Sequence, residues 1–152
     1  MNILSDIVLK RNIDKLEDVF LDPISFKSTP LSVCCLHKWE EGVRLLLKLG
    51  DDVNNARNLD ISPDGDWCPI HICCGNQWTI GLEILIEAGA NLNKSSNQGT
   101  PLHVACDYIW KKGVELLIRA GANVNQLSHY FDDCESALHI CCKHEWISGM
   151  IL

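Results

Sequence analysis

The sequence predicts an all-α fold, a solenoid of stacked helix–turn–helix units. Three observations support this prediction: four segments repeat without a gap inside the unit, proline and glycine recur at fixed positions, and apolar residues follow the period of a helix. The units begin at residues 29, 68, 100 and 136. Because one helix pair cannot enclose its own apolar face, neighbouring units are expected to stack on a continuous core.

The repeated segments align residue by residue. They read TPLSVCCLHKWEEGVRLLLKLGDDVN, CPIHICCGNQWTIGLEILIEAGANLN, TPLHVACDYIWKKGVELLIRAGANVN and SALHICCKHEWISGMIL. Proline suits the first turn of a helix, where its missing N–H leaves no bond unmade, and glycine suits a helix end that needs a left-handed residue. Each unit is therefore predicted to hold a short helix after the proline and a second helix after the tryptophan. The marking residues are Pro30, Pro69 and Pro101 at the starts and Gly50, Gly89 and Gly121 at the ends.

The repeated pattern resembles the ankyrin consensus. TPLH followed by two small residues, then apolar pairs that end in AGANVN, is similar to the unit of that family, and the resemblance covers Thr29 to Leu152. The unit starts lie 39, 32 and 36 residues apart, which brackets the ankyrin period of about 33 residues. The resemblance implies an ankyrin-repeat solenoid whose β-turn finger loops protrude between the helix pairs.

The resemblance also predicts the boundaries of the units. Residues 1–28, which contain LSDIVLKRNIDKLEDVF, resemble a degenerate N-terminal helical capping repeat. The solenoid needs polar caps for solubility, so the apolar ending MIL predicts a fragment of a longer chain or another chain that covers this end. The remaining predicted units are 29–67 (repeat 1, long finger), 68–99 (repeat 2), 100–135 (repeat 3, extended finger) and 136–152 (partial repeat 4).

Composition and charge restrict the class of protein. No apolar run is long enough to cross a bilayer, and Asp6, Lys10 and Arg11 interrupt the N-terminal apolar stretch. We therefore expect an intracellular protein, cytoplasmic or nuclear, whose 9 cysteines are thiols. The net charge of −7 disfavours nucleic acid as a partner, because phosphate binding needs fields of lysine and arginine. Basic proteins are the expected partners, and no membrane partner is expected.

Cysteines occupy the first helix of each unit, where ankyrin repeats usually carry Ala-Ala. We interpret seven of them as small apolar residues that fill the seam between repeats. The alternative is a metal site, since His71 and Cys74, or His139 and Cys142, lie three residues apart on one helical face. Two ligands are fewer than zinc requires, so we predict no metal and no cofactor. The seven cysteines are Cys34, Cys35, Cys73, Cys74, Cys106, Cys141 and Cys142.

A histidine at the fourth position of three units resembles the TPLH histidine of the family. The resemblance implies a structural role, in which the imidazole ties one repeat to its neighbour through hydrogen bonds, and Ser32 takes this place in the first unit. The sequence specifies no nucleophile and orienting group beside these imidazoles, so we predict no enzymatic activity. The histidines are His71, His103 and His139.

A tryptophan marks the turn between the two helices of every unit, and a glycine follows it three residues later. Because side chains three apart on a helix are neighbours, the glycine is expected to make room for the indole. We favour packing as the role of the indoles, and an exposed aromatic ladder for a ligand is the alternative. The pairs are Trp39 and Gly42, Trp78 and Gly81, Trp110 and Gly113, and Trp146 and Gly149.

Two finger loops are longer than the ankyrin unit requires. Residues 51–67 carry a net charge of −4 and residues 126–135 carry −3, which together equal the charge of the whole chain. Our hypothesis is that aromatic side chains in these loops anchor a partner while the acids steer a basic segment toward it. The alternative is a solvated turn with one aromatic side chain packed on its own repeat. The anchors are Trp67, Tyr130 and Phe131, and the acids are Asp60, Asp64, Asp66, Asp132, Asp133 and Glu135.

The resemblance implies further contact positions. In ankyrin proteins the exposed side of the first helices and the fingers form a concave binding surface. Asn93 and Asn125 match the asparagine that asparaginyl hydroxylation can modify in ankyrin repeats, although hydrogen bonding within the finger turn is the role we favour. The first-helix positions of this concave surface are Leu36, His37, Gly75, Asn76, Asp107, Tyr108, Lys143 and His144.

The predicted function is a protein–protein interaction scaffold or adaptor that binds a partner with a basic segment. One alternative is the substrate-recruiting subunit of a ubiquitin ligase, or a pathogen effector, whose other domain lies beyond residue 152. A second alternative is a thiol redox or metal sensor. Self-association is a further expectation for the apolar end of repeat 4.

Overall fold

The computed structural model describes residues 29–55, 67–130 and 133–151. First helices pack on first helices of the next pair, and second helices pack on second helices. This confirms the predicted solenoid of stacked helix pairs; the predicted capping repeat in residues 1–28 lies outside the described residues. The pairs are α1 (Pro30–Leu36) with α2 (Glu40–Lys48), α3 (Pro69–Gly75) with α4 (Thr79–Glu87), α5 (Pro101–Asp107) with α6 (Lys111–Arg119), and α7 (Ala137–Lys143) with α8 (Ile147–Met150).

Each first helix begins with a side-chain cap. In α1, Thr29 Oγ1 accepts the backbone N–H of Ser32 at 3.1 Å. In α5, the backbone N–H of Thr100 donates to His103 Nδ1 at 3.2 Å, so histidine takes the place of the usual Glu or Gln of a capping box. The same reciprocal cap occurs at the starts of α3 and α7. The fourth residue of the unit therefore helps to set where the helix begins.

A left-handed residue lies in the turn between the two helices of every pair. It is Lys38, Gln77, Ile109 or Glu145, with φ between 51° and 52°. A side chain in this conformation costs about 1–2 kcal/mol, and glycine would avoid the cost. The backbone N–H of the following tryptophan returns to a carbonyl of the first helix, as in the 2.9 Å bond from Trp39 to Cys34. The turn is therefore closed by the backbone rather than by glycine.

The ends of the second helices follow the sequence prediction. Gly50, Gly89 and Gly121 have φ values of 91°, 81° and 94°, which is the left-handed conformation that terminates a helix. At the other end of these helices, tryptophan is the N-cap residue. The positions of proline, tryptophan and glycine therefore bound the helix pairs as their chemistry predicts.

The core runs through all four pairs as one cluster of buried apolar side chains. Each first helix contributes residues that lie between its neighbours, and the second helices α2, α4 and α6 each contribute one apolar face. Small thiols and alanines let the first helices approach closely. The largest fully buried apolar side chains are Leu31, Ile70, Ile72, Leu82, Leu85, Leu102, Leu117, Val43, Val104 and Val114.

The extended finger of repeat 3 is a β-hairpin rather than a simple turn. Strand β1 (Leu127–Tyr130) pairs antiparallel with β2 (Asp133–Ser136), and Ser128 lies opposite Glu135. Ser128 is buried against the preceding finger, where a Cβ on Gly99 would lie 2.6 Å from the Ser128 Cβ. The additional residues of this finger therefore extend a two-stranded ladder, which the sequence analysis did not predict.

The last helix pair leaves apolar surface exposed. Helix α8 has 4 residues, whereas the other second helices have 9. A groove of about 420 Å³ lies beside α8, lined in part by Val114, Ile118, Val124 and Met150. Within the described ranges, no helix is both long enough and apolar enough to cross a membrane.

Candidate functional site

Two of the predicted structural histidines hold the finger that follows their own helix. His71 Nε2–H is shared between the carbonyls of Lys94 at 3.1 Å and Gly99 at 3.2 Å. His103 Nε2–H donates to the carbonyl of Glu135 at 3.0 Å. Gly99 and Glu135 each precede the first residue of the next unit, so the bonds fix where that unit starts. Burial lowers the pKa of His71 to about 4, which keeps its imidazole neutral near pH 7.

The other histidine positions differ. His139 caps the start of α7 through Nδ1, and its side chain is exposed. Ser32, which replaces histidine in the first unit, is fully buried, and its Oγ accepts the hydroxyl of Thr29 at 2.8 Å. Burial also lowers the pKa of His103. The imidazoles whose pKa values are lowered by burial, those of His71 and His103, are therefore the ones that a following finger covers.

The tryptophans lie over the glycines that follow them. At Gly42, Gly81, Gly113 and Gly149, a Cβ atom would overlap the six-membered ring of the indole that precedes it by three residues. Trp39, Trp78 and Trp110 are only 7%, 8% and 7% exposed, and Trp146 is partly exposed at the last pair. In this geometry the glycine supplies the volume that the ring fills. The first three indoles face the core and offer little surface to a ligand.

One predicted seam cysteine is not buried. Cys142 is exposed, although its Sγ lies 3.4 Å from Met150 Sδ of α8, whereas the other six lie inside the stack. Cys68, which we did not assign to the seam, is buried as the N-cap residue of α3. Cys134 in β2 is the second exposed thiol. Among the residues described, no group of three or more His, Cys, Asp or Glu could hold a metal ion.

Burial makes the seam thiols poor nucleophiles. It raises the pKa of Cys34 to about 12, and it raises the pKa values of Cys74 and Cys106 as well. A hydrogen bond to the Cys73 thiol, together with burial, raises the pKa of Cys35. Because the thiolate is the reactive form, these cysteines should react slowly while the protein is folded.

We expect native thiol titration to separate two cysteines from seven. Cys134 and Cys142 should react promptly with a disulfide reagent, and the remaining thiols should react only as the protein unfolds, since they are buried. Absorbance of the released thiolate measures both phases. The double variant Cys134→Ser, Cys142→Ser should lose the fast phase. A fast phase of more than two thiols in the wild type would show that the seam is accessible.

Asparagine side chains bridge successive fingers. Asn54 Oδ1 accepts the backbone N–H of Asn91 at 2.7 Å, and Asn93 Oδ1 accepts that of Asn123 at 2.7 Å. The backbone N–H of Asn125 donates to Asn123 Oδ1 at 3.0 Å within one finger. The Asn93 side chain therefore forms a hydrogen bond to the next finger and not within its own turn, and hydroxylation of Asn93 and Asn125 stays a prediction.

Trp67, a predicted anchor at the end of the first finger, is partly buried on the first helix of the next unit. Its ring lies against Gly75, where a Cβ would come within 2.9 Å of the indole, and its centroid is 6.4 Å from that of His71, with the planes tilted by 32°. The indole therefore packs on the first helix of the next unit and not on its own repeat, as the predicted alternative had it, and its role as an anchor stays a prediction. Glycine at position 75 could have indicated this contact from the sequence, because the other units carry a larger residue at the same place. The equivalent residues are Leu36, Asp107 and Lys143.

The other predicted finger residues are placed only in part. Glu135 forms an ion pair with Lys143, and its backbone carbonyl accepts the bond from His103, so its charge is partly neutralised. Tyr130 ends β1 and Asp133 begins β2, where they pair. The remaining predicted contacts of the two fingers lie outside the described residues, namely Asp60, Asp64, Asp66, Phe131 and Asp132.

Several predicted contact positions on the first helices are joined across repeats. Asp107 Oδ1 lies 3.0 Å from His144 Nε2, and Gln77 Nε2 donates to the carbonyl of Tyr108 at 2.9 Å. Tyr108 is 43% exposed, and the Asp107 side chain is 57% exposed. His37 is exposed and Asn76 is partly exposed at the ends of α1 and α3. An exposed carboxylate and an exposed phenol are therefore consecutive in the chain at the end of α5, the carboxylate beside His144 of the following pair and the phenol ring near Gly75 of the preceding pair.

The stacked pairs and bridged fingers define a helical repeat protein. Residues 55–128 match the family model described as ankyrin repeats, in 3 copies. Residues 55–128 are thus ankyrin repeats, and the pairs α1–α2 and α7–α8 extend the same packing on either side of the matched region. No curated protein matches the chain. Ankyrin repeats are typically non-catalytic and engage other proteins, which places the function in the general class of protein–protein interaction.

Proposed function

We propose that this protein is an interaction scaffold that binds a partner with a basic segment through its concave surface and acidic fingers. The observation that carries the proposal is the exposed pair Asp107 and Tyr108, which lies beside His144 on neighbouring first helices. Exposed aromatic side chains next to acids form the kind of surface that binds a cationic chain. Tyr130, Phe131 and the acids of the two fingers extend the proposed contact.

Rigidity supports this proposal. The second finger is held by His71 and the third by His103, and asparagine side chains bridge the described parts of successive loops. Gln126 Nε2 adds bonds to the carbonyl of Asn93 at 3.2 Å and to Ser95 Oγ at 3.1 Å. A preformed surface loses little conformational entropy when a partner binds.

Charge supports the choice of partner. The long fingers, residues 51–67 and 126–135, have net charges of −4 and −3, which together equal the net charge of −7 of the chain. Such a field accelerates encounter with a basic chain, and added salt screens it over a Debye length of about 8–10 Å at physiological ionic strength. We therefore expect the affinity for the partner to fall as salt is added.

A random peptide library displayed on phage and selected on the full chain tests the proposal. We expect the enriched peptides to be basic and to bind more weakly at high salt, as calorimetry with the synthetic peptides would measure. Asp107→Lys should weaken binding. Glu83→Lys makes the same change of charge at an exposed position on a second helix and should affect binding much less. Enrichment of neutral or acidic peptides, or equal loss in both variants, would refute the proposal.

A further inference from the structure

We propose that Trp67, Tyr108 and Asp107 form a subsite for one arginine side chain of the partner. The inference rests on the proposed function, because it names the side chain that is recognised within the basic segment. It depends on a contact that the other repeats lack, the packing of an indole from the first finger onto the first helix of the next unit.

Gly75 brings two aromatic rings together. A Cβ at this position would lie 2.9 Å from Cη2 and Cζ3 of Trp67 and 4.0 Å from Cζ of Tyr108. Because both rings approach the same point, these atoms lie within about 7 Å of each other. Trp67 belongs to one finger and Tyr108 to the first helix of repeat 3, so the aromatic surface crosses a repeat boundary.

The rings are held in place and remain accessible. Gln77 Nε2 donates to the backbone carbonyl of Tyr108 at 2.9 Å, which fixes the backbone of this residue. Tyr108 nevertheless remains 43% exposed. Trp67 is partly exposed, and its Nε1 is buried with no acceptor in the described part of the chain, so packing alone holds the indole. The partner therefore meets the carbon surface of the indole and not its N–H.

The residue next to Tyr108 supplies the charge of the proposed subsite. Asp107 precedes Tyr108, and its side chain is 57% exposed although Oδ1 lies 3.0 Å from His144 Nε2. A guanidinium group is planar, stacks on aromatic faces and pairs with a carboxylate through two N–H groups. A lysine ammonium is compact and strongly hydrated, and it cannot stack in this way. The combination of two rings and one acid therefore favours arginine over lysine.

The probe is a blocked pentapeptide with a single arginine between glycines, titrated into the ¹⁵N-labelled full chain. We expect shifts of the Trp67 indole resonance and of the amides of Gly75, Asp107 and Tyr108. The same peptide with lysine should bind more weakly, and a citrulline peptide, which keeps the shape without the charge, should cause no shifts at these positions. Equal shifts with citrulline, or shifts confined to residues elsewhere, would overturn the proposal.

Variants separate the aromatic contribution from folding. Tyr108→Ala should weaken the arginine peptide by about 2–5-fold, the value of a cation–π contact at an exposed site, whereas Tyr108→Phe keeps the ring and should bind as the wild type does. Gly75→Ala should displace the Trp67 ring and weaken binding while the circular dichroism spectrum stays unchanged. Wild-type affinity in both Tyr108→Ala and Gly75→Ala would refute the subsite.

Failure here differs from failure of the proposed function. If the library yields basic peptides in which lysine serves as well as arginine, the arginine subsite is wrong and the interaction scaffold stands. If the library yields neutral or acidic peptides, the basic-partner proposal itself is wrong. If the library yields peptides with arginine at one fixed position, and this preference is lost when the selection uses Tyr108→Ala, the interaction scaffold and the arginine subsite are both supported.

Discussion

Replacement of Trp110 by alanine should lower the free energy of unfolding by about 3–5 kcal/mol, as is typical when a large buried aromatic side chain is removed. The indole is 7% exposed and lies between α5 and α6 over Gly113. Alanine keeps the backbone bond from residue 110 to the carbonyl of Ala105, so the loss reports on packing. Urea denaturation followed by circular dichroism measures it. Tyr108→Ala, at an exposed aromatic residue two positions earlier, is the control and should cost far less.

The glycine that faces this indole gives the second half of the test. A Cβ on Gly113 would overlap the ring, so Gly113→Ala should destabilise the wild type by about 1–3 kcal/mol, the usual cost of overpacking. In the Trp110→Ala background the clash is gone, and alanine is the better helix former by about 1 kcal/mol. The same substitution should then be neutral or stabilising. An equal cost in both backgrounds would show that the two residues do not share one volume.

The helix pairs could be predicted because their signals act locally. Pro30 marks the start of α1 within its own first turn, and Gly50 ends α2 through its own φ of 91°. The volume exchange between Trp110 and Gly113 spans three residues of one helix, so spacing alone indicated it. The same pattern occurs in every unit, and each further occurrence excludes alternative assignments of the helices. Local chemistry plus repetition therefore specified most of the architecture.

The left-handed turns could not be predicted, because their usual signal is absent. Glycine normally indicates a positive φ, but Lys38, Gln77, Ile109 and Glu145 adopt it here with φ near 50°. The backbone bond that closes each turn, such as that from Trp78 to Cys73 at 2.9 Å, supports the conformation. A bond between backbone atoms does not depend on the identity of the side chains, so the sequence does not indicate it.

The candidate site was predicted only as a set of positions. The sequence indicated which residue types the site contains. The contact of Trp67 with Gly75, however, joins parts of the chain that the repeat pattern does not relate. The exposure of Cys142 likewise depends on what covers α7, since its neighbour Cys141 is buried by the preceding pair. Contacts between units that break the repeat are set by three-dimensional packing, which a one-dimensional pattern does not record.

A decrease in pH from 7 to 5 should lower the free energy of unfolding by about 2 kcal/mol through His71 alone, at 1.36 kcal/mol per unit of pKa difference. The pKa of this imidazole is about 4 in the folded protein and near 6.5 in the unfolded chain. Below pH 6.5 the unfolded chain therefore binds a proton that the folded protein excludes. Stability should fall until the pH is below about 4, where the folded protein is protonated as well. Burial lowers the pKa of His103, so its contribution has the same sign.

Urea midpoints measured across this range give the slope, and two variants assign it. His71→Gln removes the titrating group and should be less stable at pH 7, because the bonds to Lys94 and Gly99 are weakened, but its stability should depend less on pH. His37→Gln changes an exposed histidine and should keep the wild-type slope. Equal slopes in the wild type and in His71→Gln would contradict the assignment. Since His71 holds the second finger, the protection factor of the Gly99 amide should be the first to decrease as the pH falls, because protonation is possible only when that finger opens.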